Sequence, residues 1–285
     1  MASRGLDGST LMFDTAEEEE KHLVPAVARA AAILDFVAQS DNGNPLRGSG
    51  KAQKGVASNE IARQLGLPKS STANICLELE QAGLLIRRES GYALGRKCLE
   101  LGGHYINTVD ELRDYYDLCS SLPIISRESS RIAILDGTDV LYLGKYEGRQ
   151  QIRLTANVGD RFPAACAATG KALLALLPAA EVEHRFREKP SAFVQLTDKS
   201  VKNVKELLKD LEKIRERGYA IDDEEVTPGV ICFAAVVPGS RRDASPVAVS
   251  ATVIAQRLLP EFKQALLSDL FALAKGLSNP LAFHS

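Results

Sequence analysis

The chain has 285 residues, of which 45% are hydrophobic and 25% are charged, with a formal net charge of −2. This length suits two domains that each bury a core, and the composition is that of a soluble globular protein. No apolar run approaches the roughly 20 residues that cross a bilayer. The N-terminus lacks the basic-then-apolar order of a secretory signal. We therefore predict a cytoplasmic protein with no membrane partner.

The charge is unevenly distributed along the chain. Residues 1–20 carry one Arg against six acidic residues, and we predict a disordered acidic tail over residues 1–22. Residues 21–97 carry eleven Lys and Arg against six Asp and Glu, a net charge of +5. A basic segment in a mildly acidic chain is typical of a nucleic-acid-binding module, although a solvated basic face has the same pattern.

The basic segment begins with two predicted helices. From Val24 apolar residues recur at three- and four-residue spacing, which predicts a first helix. The Gly-, Asn- and Lys-rich stretch Ser40–Gly55 then predicts a long loop that could itself reach DNA. Ser58 lies where an N-cap belongs, and Gly66 ends the short helix that follows.

A tight turn, a further helix and a hairpin complete the pattern of a winged helix-turn-helix over residues 23–96. A tight turn at Pro68 leads into a helix that Ser70 or Ser71 could cap and that Gly83 ends. The runs LLIRR and YAL flank ESG, which is typical of a small antiparallel hairpin, the wing. The same helices could also serve only for packing or dimerisation.

The residue types on this helix and wing suit DNA. Ser, Thr and Asn reach base edges in the major groove, whereas Lys and Arg hold phosphates. Small side chains at a helix start also let backbone N–H groups approach a phosphate. The predicted DNA-contacting residues are Lys69, Ser70, Ser71, Thr72, Asn74, Arg87 and Arg88. The spacing of Thr72, Ile75 and Leu79 also predicts the buried stripe of this helix, with Ser71, Asn74 and Glu78 on the opposite, exposed face.

A linker helix and a second domain are predicted after the wing. Residues 97–122 read as one helical run, the linker helix. From Arg131 onward, strand-like runs alternate with helical ones: IAILDG, VLYLGKYEG, QIRLTANVG, GVICFAAVVPG and SPVAVSATVI are strands, and CAATGKALLALLP, KNVKELLKDLEKIRERG and the stretch from Pro260 are helices. This order predicts an antiparallel sheet with flanking helices, an α+β ligand-sensing domain over residues 123–285.

No catalytic or metal site is predicted. Cys232 has no His in the adjacent strands to act as its base. The acids of residues 222–225 cannot all face one centre on a strand or helix, so turn and interface roles are expected. The four histidines lack ligand spacing, and the five scattered cysteines predict free thiols. TGKA lacks the first glycine and the Ser or Thr of a nucleotide-binding loop. We therefore predict no cofactor and no enzyme.

Several sequence blocks, taken in order, resemble a known family. They are VARAAAILDFVA, NEIARQLGLPKSSTANICLELEQAGLL, GYALG, TGKALLALLP, IRERGYAIDDEEVTPGVICFAAVVP and VAVSATV. Together they resemble the IclR-type bacterial transcriptional regulators over most of the chain. The resemblance implies a homodimer, often a dimer of dimers, that binds double-stranded operator DNA. It also implies a GAF-like C-terminal domain that senses a small-molecule effector, commonly an organic acid or aromatic compound.

By position, the resemblance also implies an effector pocket between the sheet and the GKALLA helix. Its expected lining is Leu154, Ala168, Thr169, Asp222, Cys232, Ser250 and Thr252. Thr169 lies near a helix start, where free N–H groups attract a carboxylate. Ser250 and Thr252 alternate along a strand, so both hydroxyls can point inward.

The chain departs from the family at two places. Ala165 and Cys166 precede the GKALLA helix where the family frequently has a His, which favours a less acidic effector. Ala73 and Asn74 stand where the family often has His-Arg, so the DNA sequence preference should differ. The function predicted is a DNA-binding regulator controlled by an effector. The alternative is a small-molecule-binding enzyme or sensor whose degenerate winged helix serves for oligomerisation.

Overall fold

The computed structural model describes residues 23–42, 55–149, 156–239 and 245–278. The chain divides into two compact units, Met1–Tyr105 and Ile106–Ser285. Three of the predicted features lie wholly or mainly outside the described residues: the acidic tail of residues 1–22, most of the Ser40–Gly55 loop, and Leu154.

The N-terminal unit is the predicted winged helix-turn-helix. Its helices are α1 (Pro25–Asn42), α2 (Ser58–Gln64) and α3 (Lys69–Gln81), followed by the antiparallel wing strands β1 (Leu85–Arg88) and β2 (Gly91–Leu94). One apolar cluster holds these elements together, because each contributes side chains that are almost completely buried. The cluster contains Ile33, Val37, Ile61, Cys76, Leu79, Leu85 and Tyr92.

The predicted N-caps of α2 and α3 were wrong by one residue for α2 and by two or three residues for α3. Ala57 occupies the N-cap of α2, and Pro68 occupies that of α3 in an extended conformation. Proline fixes its own φ and has no N–H, so it is well suited to the boundary where helical hydrogen bonding begins. The Pro68 carbonyl accepts the backbone N–H of Thr72. Ser70 and Ser71 therefore lie inside the first turn of α3.

The predicted linker helix is two helices in the structure. They are α4 (Arg96–Ile106) and α5 (Glu111–Ser121), and the boundary between the compact units falls at the end of α4. The interruption contains Asn107, Thr108 and Asp110, residue types that favour helix ends over helix interiors. Helix α5 packs in the C-terminal unit, where its Tyr115 and Cys119 are fully buried.

The C-terminal unit is a six-stranded antiparallel sheet in the order β5-β4-β3-β8-β7-β6. Its strands are β3 (Ser129–Asp136), β4 (Asp139–Glu147), β5 (Arg161–Pro163), β6 (Ala220–Asp223), β7 (Val230–Val236) and β8 (Val247–Ile254). Its other helices are α6 (Ala168–Leu174), α7 (Ala179–Glu188), α8 (Val204–Arg217) and α9 (Pro260–Gly276).

Apolar layers cover both faces of this sheet. Residues of α6, α7 and α8 pack on one face, and residues of α5 and α9 pack on the other. The alternation of side chains along each strand supplies both layers, since successive residues point to opposite faces. The α+β architecture predicted for this unit is therefore confirmed.

Three local details differ from the sequence-based prediction. The strand expected at QIRLTANVG falls partly outside the described residues, and residues 156–159 are not a strand. The short strand β5 follows instead, at Arg161–Pro163. Helix α7 and strand β6 had not been predicted at all. Strand β6 carries two of the four consecutive acids, Asp222 and Asp223.

Candidate functional site

The exposed face of α3 presents most of the residues predicted to contact DNA. Lys69, Ser70 and Asn74 are exposed, and Ser71 is half-buried. Thr72 is different, because it is completely buried and its hydroxyl donates to the Pro68 carbonyl at 3.0 Å. Thr72 therefore cannot reach a base or phosphate, and its inclusion in the DNA-contacting set was wrong. It belongs to the inner stripe of the helix.

The wing carries its two arginines in different environments. The Arg87 guanidinium donates to the Tyr92 hydroxyl at 2.5 Å and forms an ion pair with Glu80 of α3 at 3.3 Å. Arg88 is exposed and has no ion pair or side-chain hydrogen bond to any residue that the structure describes. The wing is thus tied to α3 through Arg87, and the charge of Arg88 is directed to solvent.

A further cation that sequence reasoning missed stands beside this surface. Arg63, in the last turn of α2, is exposed and borders an open groove together with Lys69 and Asn59. No spacing rule identifies such a residue, because any surface arginine looks the same in sequence. The turn between α2 and α3 is what places Arg63 and Lys69 side by side.

In the C-terminal unit, the predicted effector residues meet around one cavity of about 50 Å³. The strand register explains why. Asp222 of β6 pairs with Cys232 of β7, which pairs with Thr252 of β8, so the three side chains form one row across the sheet. In the next row, Ser250 pairs with Arg131 of β3. Six of the seven predicted lining residues are thus brought together, the exception being Leu154, which the structure does not describe.

Helix α6 closes the cavity above these rows with Ala168 and Thr169. Gly170 of α6 packs against the backbone of the segment that precedes the helix, where a Cβ atom would come within 2.4 Å of the Ala164 Cα. A side chain at that position would collide with backbone, which cannot move as a flexible side chain can. The glycine of TGKA therefore serves packing and not phosphate binding.

Arg131 also lines this cavity, and sequence reasoning missed it. It is 4% exposed, and its Nε is buried without a hydrogen-bond partner among the described residues. One terminal nitrogen donates to the Ala156 carbonyl at 3.3 Å, and the guanidinium lies 5.6 Å from the ring centre of Tyr142. A signal was present, since a charged residue inside the apolar run SSRIAILD requires an explanation when the strand is buried.

The two titratable groups opposite Arg131 are both shifted by burial. Burial raises the pKa of Asp222 to about 6, although the backbone N–H groups of Glu225 and Val226 donate to its carboxylate and act in the opposite direction. Burial, together with the nearby Asp222 carboxylate, raises the pKa of the Cys232 thiol strongly. The thiol, 3.3 Å from the Thr252 hydroxyl, is therefore protonated at neutral pH and is not a nucleophile.

Behind α6 lies a buried ionic cluster. The Lys171 ammonium is completely buried, 2.9 Å from the Asp210 carboxylate and in contact with that of Glu225. Burial would lower the pKa of Lys171, but the two carboxylates raise it overall. Burial raises the pKa of Glu225 to about 7 against the effect of Lys171, and Oε2 of Glu225 has no partner among the described residues.

These shifts predict how stability depends on pH. The pKa values of Asp222 and Glu225 are higher in the folded chain than their ordinary values of 3.8 and 4.5. The folded state then binds more protons than the unfolded state between about pH 4 and pH 7. We expect these two groups to lower the free energy of unfolding as pH rises through that window, with no further change above it.

The measurement is urea unfolding of the full chain, followed by circular dichroism at several pH values between 4.5 and 8. The double variant Asp222→Asn/Glu225→Gln should lack this pH-dependent fall in the free energy of unfolding. Its stability relative to the wild type should therefore increase with pH. Asp223→Asn, which changes an exposed carboxylate on the same strand, is the matched control. A constant difference between the wild type and the double variant across the series would contradict the prediction.

In the residues that the structure describes, no group of three or more His, Cys, Asp or Glu side chains could hold a metal ion. The same residues form no helix long and apolar enough to cross a membrane. The four acids at residues 222–225 do not gather around one centre. Asp222 and Glu225 are buried, whereas Glu224 adopts a left-handed φ of 62° and forms an ion pair with Lys199.

Comparison with known proteins matches both units to one family. Residues 26–89 match the IclR helix-turn-helix domain, and residues 117–279 match the C-terminal domain of bacterial IclR transcriptional regulators. The HTH-type transcriptional regulator Rv1719 of Mycobacterium tuberculosis is 32% identical over 251 residues, which cover 85% of this chain and 88% of that protein.

Two other relatives extend the comparison. The HTH-type transcriptional repressor AllR of Escherichia coli is 29% identical over 215 residues, 74% of each chain. An IclR homolog from Microbacterium hydrocarbonoxydans, solved in complex with 4-hydroxybenzoate, shares the fold with a TM-score of 0.66 at 19% identity, covering 88% of this chain and 98% of its own.

These matches agree with the geometry of both units. The winged helix-turn-helix presents a polar face and exposed cations, and the second unit encloses a cavity lined by polar side chains. The reading as an enzyme or sensor with a degenerate winged helix is not favoured, because the relatives are transcriptional regulators. The chain belongs to the IclR family of bacterial transcriptional regulators and is a DNA-binding regulator with a C-terminal effector-binding domain.

Proposed function

We propose that this regulator binds its operator through the exposed face of α3 and through the wing. The residues in contact are Lys69, Ser70, Ser71, Asn74, Arg87 and Arg88, with Arg63 beside them on α2. The observation that carries this proposal is that α3 exposes a polar face in the same unit as the two wing arginines. The apolar side chains of this unit are buried in one cluster, so the exposed polar face is not needed for packing within it. Serine and asparagine read base edges, and the cations hold phosphates.

The effector binds in the cavity of the C-terminal unit, and the expected class is an organic acid or an aromatic compound. Two observations support this assignment. The cavity collects polar side chains from five strands and one helix, and one solved relative is complexed with 4-hydroxybenzoate, which is both aromatic and an acid. Effector binding changes operator affinity only to the extent that it favours one arrangement of the DNA-binding units over another.

We place the protein in the cytoplasm, where its operator is, as a homodimer or a dimer of dimers without catalytic activity. Two-fold pairing of the DNA-binding units predicts an operator with two related half-sites about one or two helical turns apart.

Fluorescence anisotropy tests the proposal on DNA from upstream of the protein's own gene, across a salt series and against a scrambled duplex. Each phosphate contact adds roughly −0.9 to the slope of log affinity against log salt. Lys69, Arg87 and Arg88 therefore predict a slope of about −3 or steeper, with preference for the operator. Equal, salt-insensitive binding of both duplexes, and of duplexes from a genome-wide selection, would contradict the proposal.

A further inference from the structure

The polar atoms around the effector cavity are unevenly satisfied. The Arg131 Nε–H has no acceptor among the described residues, although the residue is 4% exposed. The Thr169 hydroxyl is likewise buried and has no hydrogen-bond partner among the described residues. Both side chains line the same cavity. Buried polar groups normally have partners, so two such groups at one cavity indicate a missing one.

The missing partner must be an acceptor that carries negative charge. Arg131 is a donor only and is always charged, and burying such a group without a counter-ion is costly. Within the described residues no carboxylate lies at ion-pair distance from Arg131. The Ala156 carbonyl and the Tyr142 ring are neutral neighbours, so neither cancels its charge.

The opposite end of the cavity carries an acidic group in place of a cation. Asp222 lines it from β6, two strands away from the β8 residue Ser250 that pairs with Arg131. A second anionic group on the ligand would face this carboxyl group, and like charges at short range repel each other. The hydroxyls of Ser250 and Thr252 lie between the two ends and can hydrogen-bond an uncharged part of a ligand.

We propose that Arg131 seats the carboxylate of the effector and that Asp222 excludes a second one, so that the regulator responds to a small monocarboxylate. This inference rests on the proposed function of the cavity as the effector site. It reverses the expectation of a less acidic ligand, which followed from the missing His before α6. The cation is supplied instead by Arg131 of β3, which the sequence analysis did not include among the residues of the pocket. A planar guanidinium also matches the geometry of a carboxylate.

The test measures ligand binding to the full chain without DNA, by isothermal titration calorimetry. Two matched series are used as probes: acetate, acetamide and malonate, and 4-hydroxybenzoate, 4-hydroxybenzamide and terephthalate. In at least one series the monocarboxylate should bind ten- to a hundredfold more tightly than its neutral amide, because a charge-assisted hydrogen bond is lost in the amide. The dicarboxylate should bind more weakly than the monocarboxylate as well.

Two variants separate ligand recognition from a structural role. Arg131→Gln should remove the preference for carboxylate over amide without lowering the unfolding temperature, since it deletes a buried charge that has no ion-pair partner among the described residues. A structural arginine would give the opposite result, a lower unfolding temperature and an unchanged preference. Asp222→Asn should reduce the difference in affinity between the monocarboxylate and the dicarboxylate. The preference for carboxylate over amide, which depends on Arg131, should remain.

Three outcomes would overturn the inference: equal binding of carboxylates and amides by the wild type, binding of no probe in either series, or a preference that survives Arg131→Gln. Operator binding is measured separately. Loss of operator recognition by the wild type would remove the proposed function without affecting the calorimetric result, so the two failures can be told apart.

Discussion

Replacing Arg87 and Arg88 together with alanine should weaken operator binding roughly 100-fold for each bound DNA-binding unit and make the slope of log affinity against log salt shallower by about 2 per unit. Both guanidinium groups lie on the wing, and each charge-assisted contact to a phosphate contributes on the order of 1.5 kcal/mol, so the two contacts of one unit together contribute about 3 kcal/mol. Anisotropy titrations over a salt series measure the affinity and the slope together.

The single variants should differ from each other. Arg87 already pairs with Glu80 and donates to Tyr92, so part of its charge is neutralised before DNA arrives. Arg88 has no such partner in the part of the chain that the structure describes, and Arg88→Ala should therefore cause the larger loss. Lys213→Ala, which removes an exposed cation of α8 in the other unit, is the control and should leave affinity and slope unchanged. An unchanged slope in the double variant would show that the wing does not touch phosphates.

Lys171→Met should destabilise the C-terminal unit by about 3–5 kcal/mol at pH 8, because it leaves the buried Glu225 carboxylate without its cation and removes one partner of the half-buried Asp210, which Arg217 still approaches at 4.0 Å. Methionine preserves most of the apolar stem, so the loss reports on charge more than on packing. The loss should be smaller at pH 5, where Glu225, with a pKa of about 7, takes up a proton and no longer needs a counter-charge.

Urea unfolding at both pH values gives these energies. Lys213→Met, an exposed lysine on α8, is the matched control and should change stability by less than about 0.5 kcal/mol. Adding Glu225→Gln to Lys171→Met should restore part of the lost stability at pH 8, since the two residues are in contact and their effects are not additive. Equal losses at both pH values would mean that packing, and not charge, explains the effect.

The elements that were predicted correctly are those whose signals are local. Helices α2 and α3, the turn at Pro68 and the wing follow from short-range periodicity and from residues such as Gly83 that punctuate the chain. Local signals failed where the same pattern is compatible with one long helix or with two shorter ones. The run after the wing was predicted as one helix, yet the residues between α4 and α5 favour helix ends, and α5 packs on the C-terminal sheet.

Within the candidate site, helical spacing distinguished the two faces of α3 better than residue type did. Spacing placed Thr72 with Ile75 and Leu79 on the inner stripe, but its residue type also placed it in the DNA-contacting set together with Ser71 and Asn74. In the structure the Thr72 hydroxyl donates to the Pro68 carbonyl and the side chain is buried, so the inference from spacing was correct and the inference from residue type was wrong.

By itself, the sequence determined the family, the winged helix-turn-helix and the residues expected at the effector pocket, because these follow from motifs and from local propensity. Only the tertiary structure decided that Arg131 lines that pocket with no counter-ion in the part of the chain that the structure describes, and that Lys171 contacts Glu225, 54 residues away. The physical reason is that burial and charge pairing depend on strand order and helix packing, which join residues from distant parts of the chain. The role of a charged residue therefore cannot be assigned until the fold shows which groups surround it.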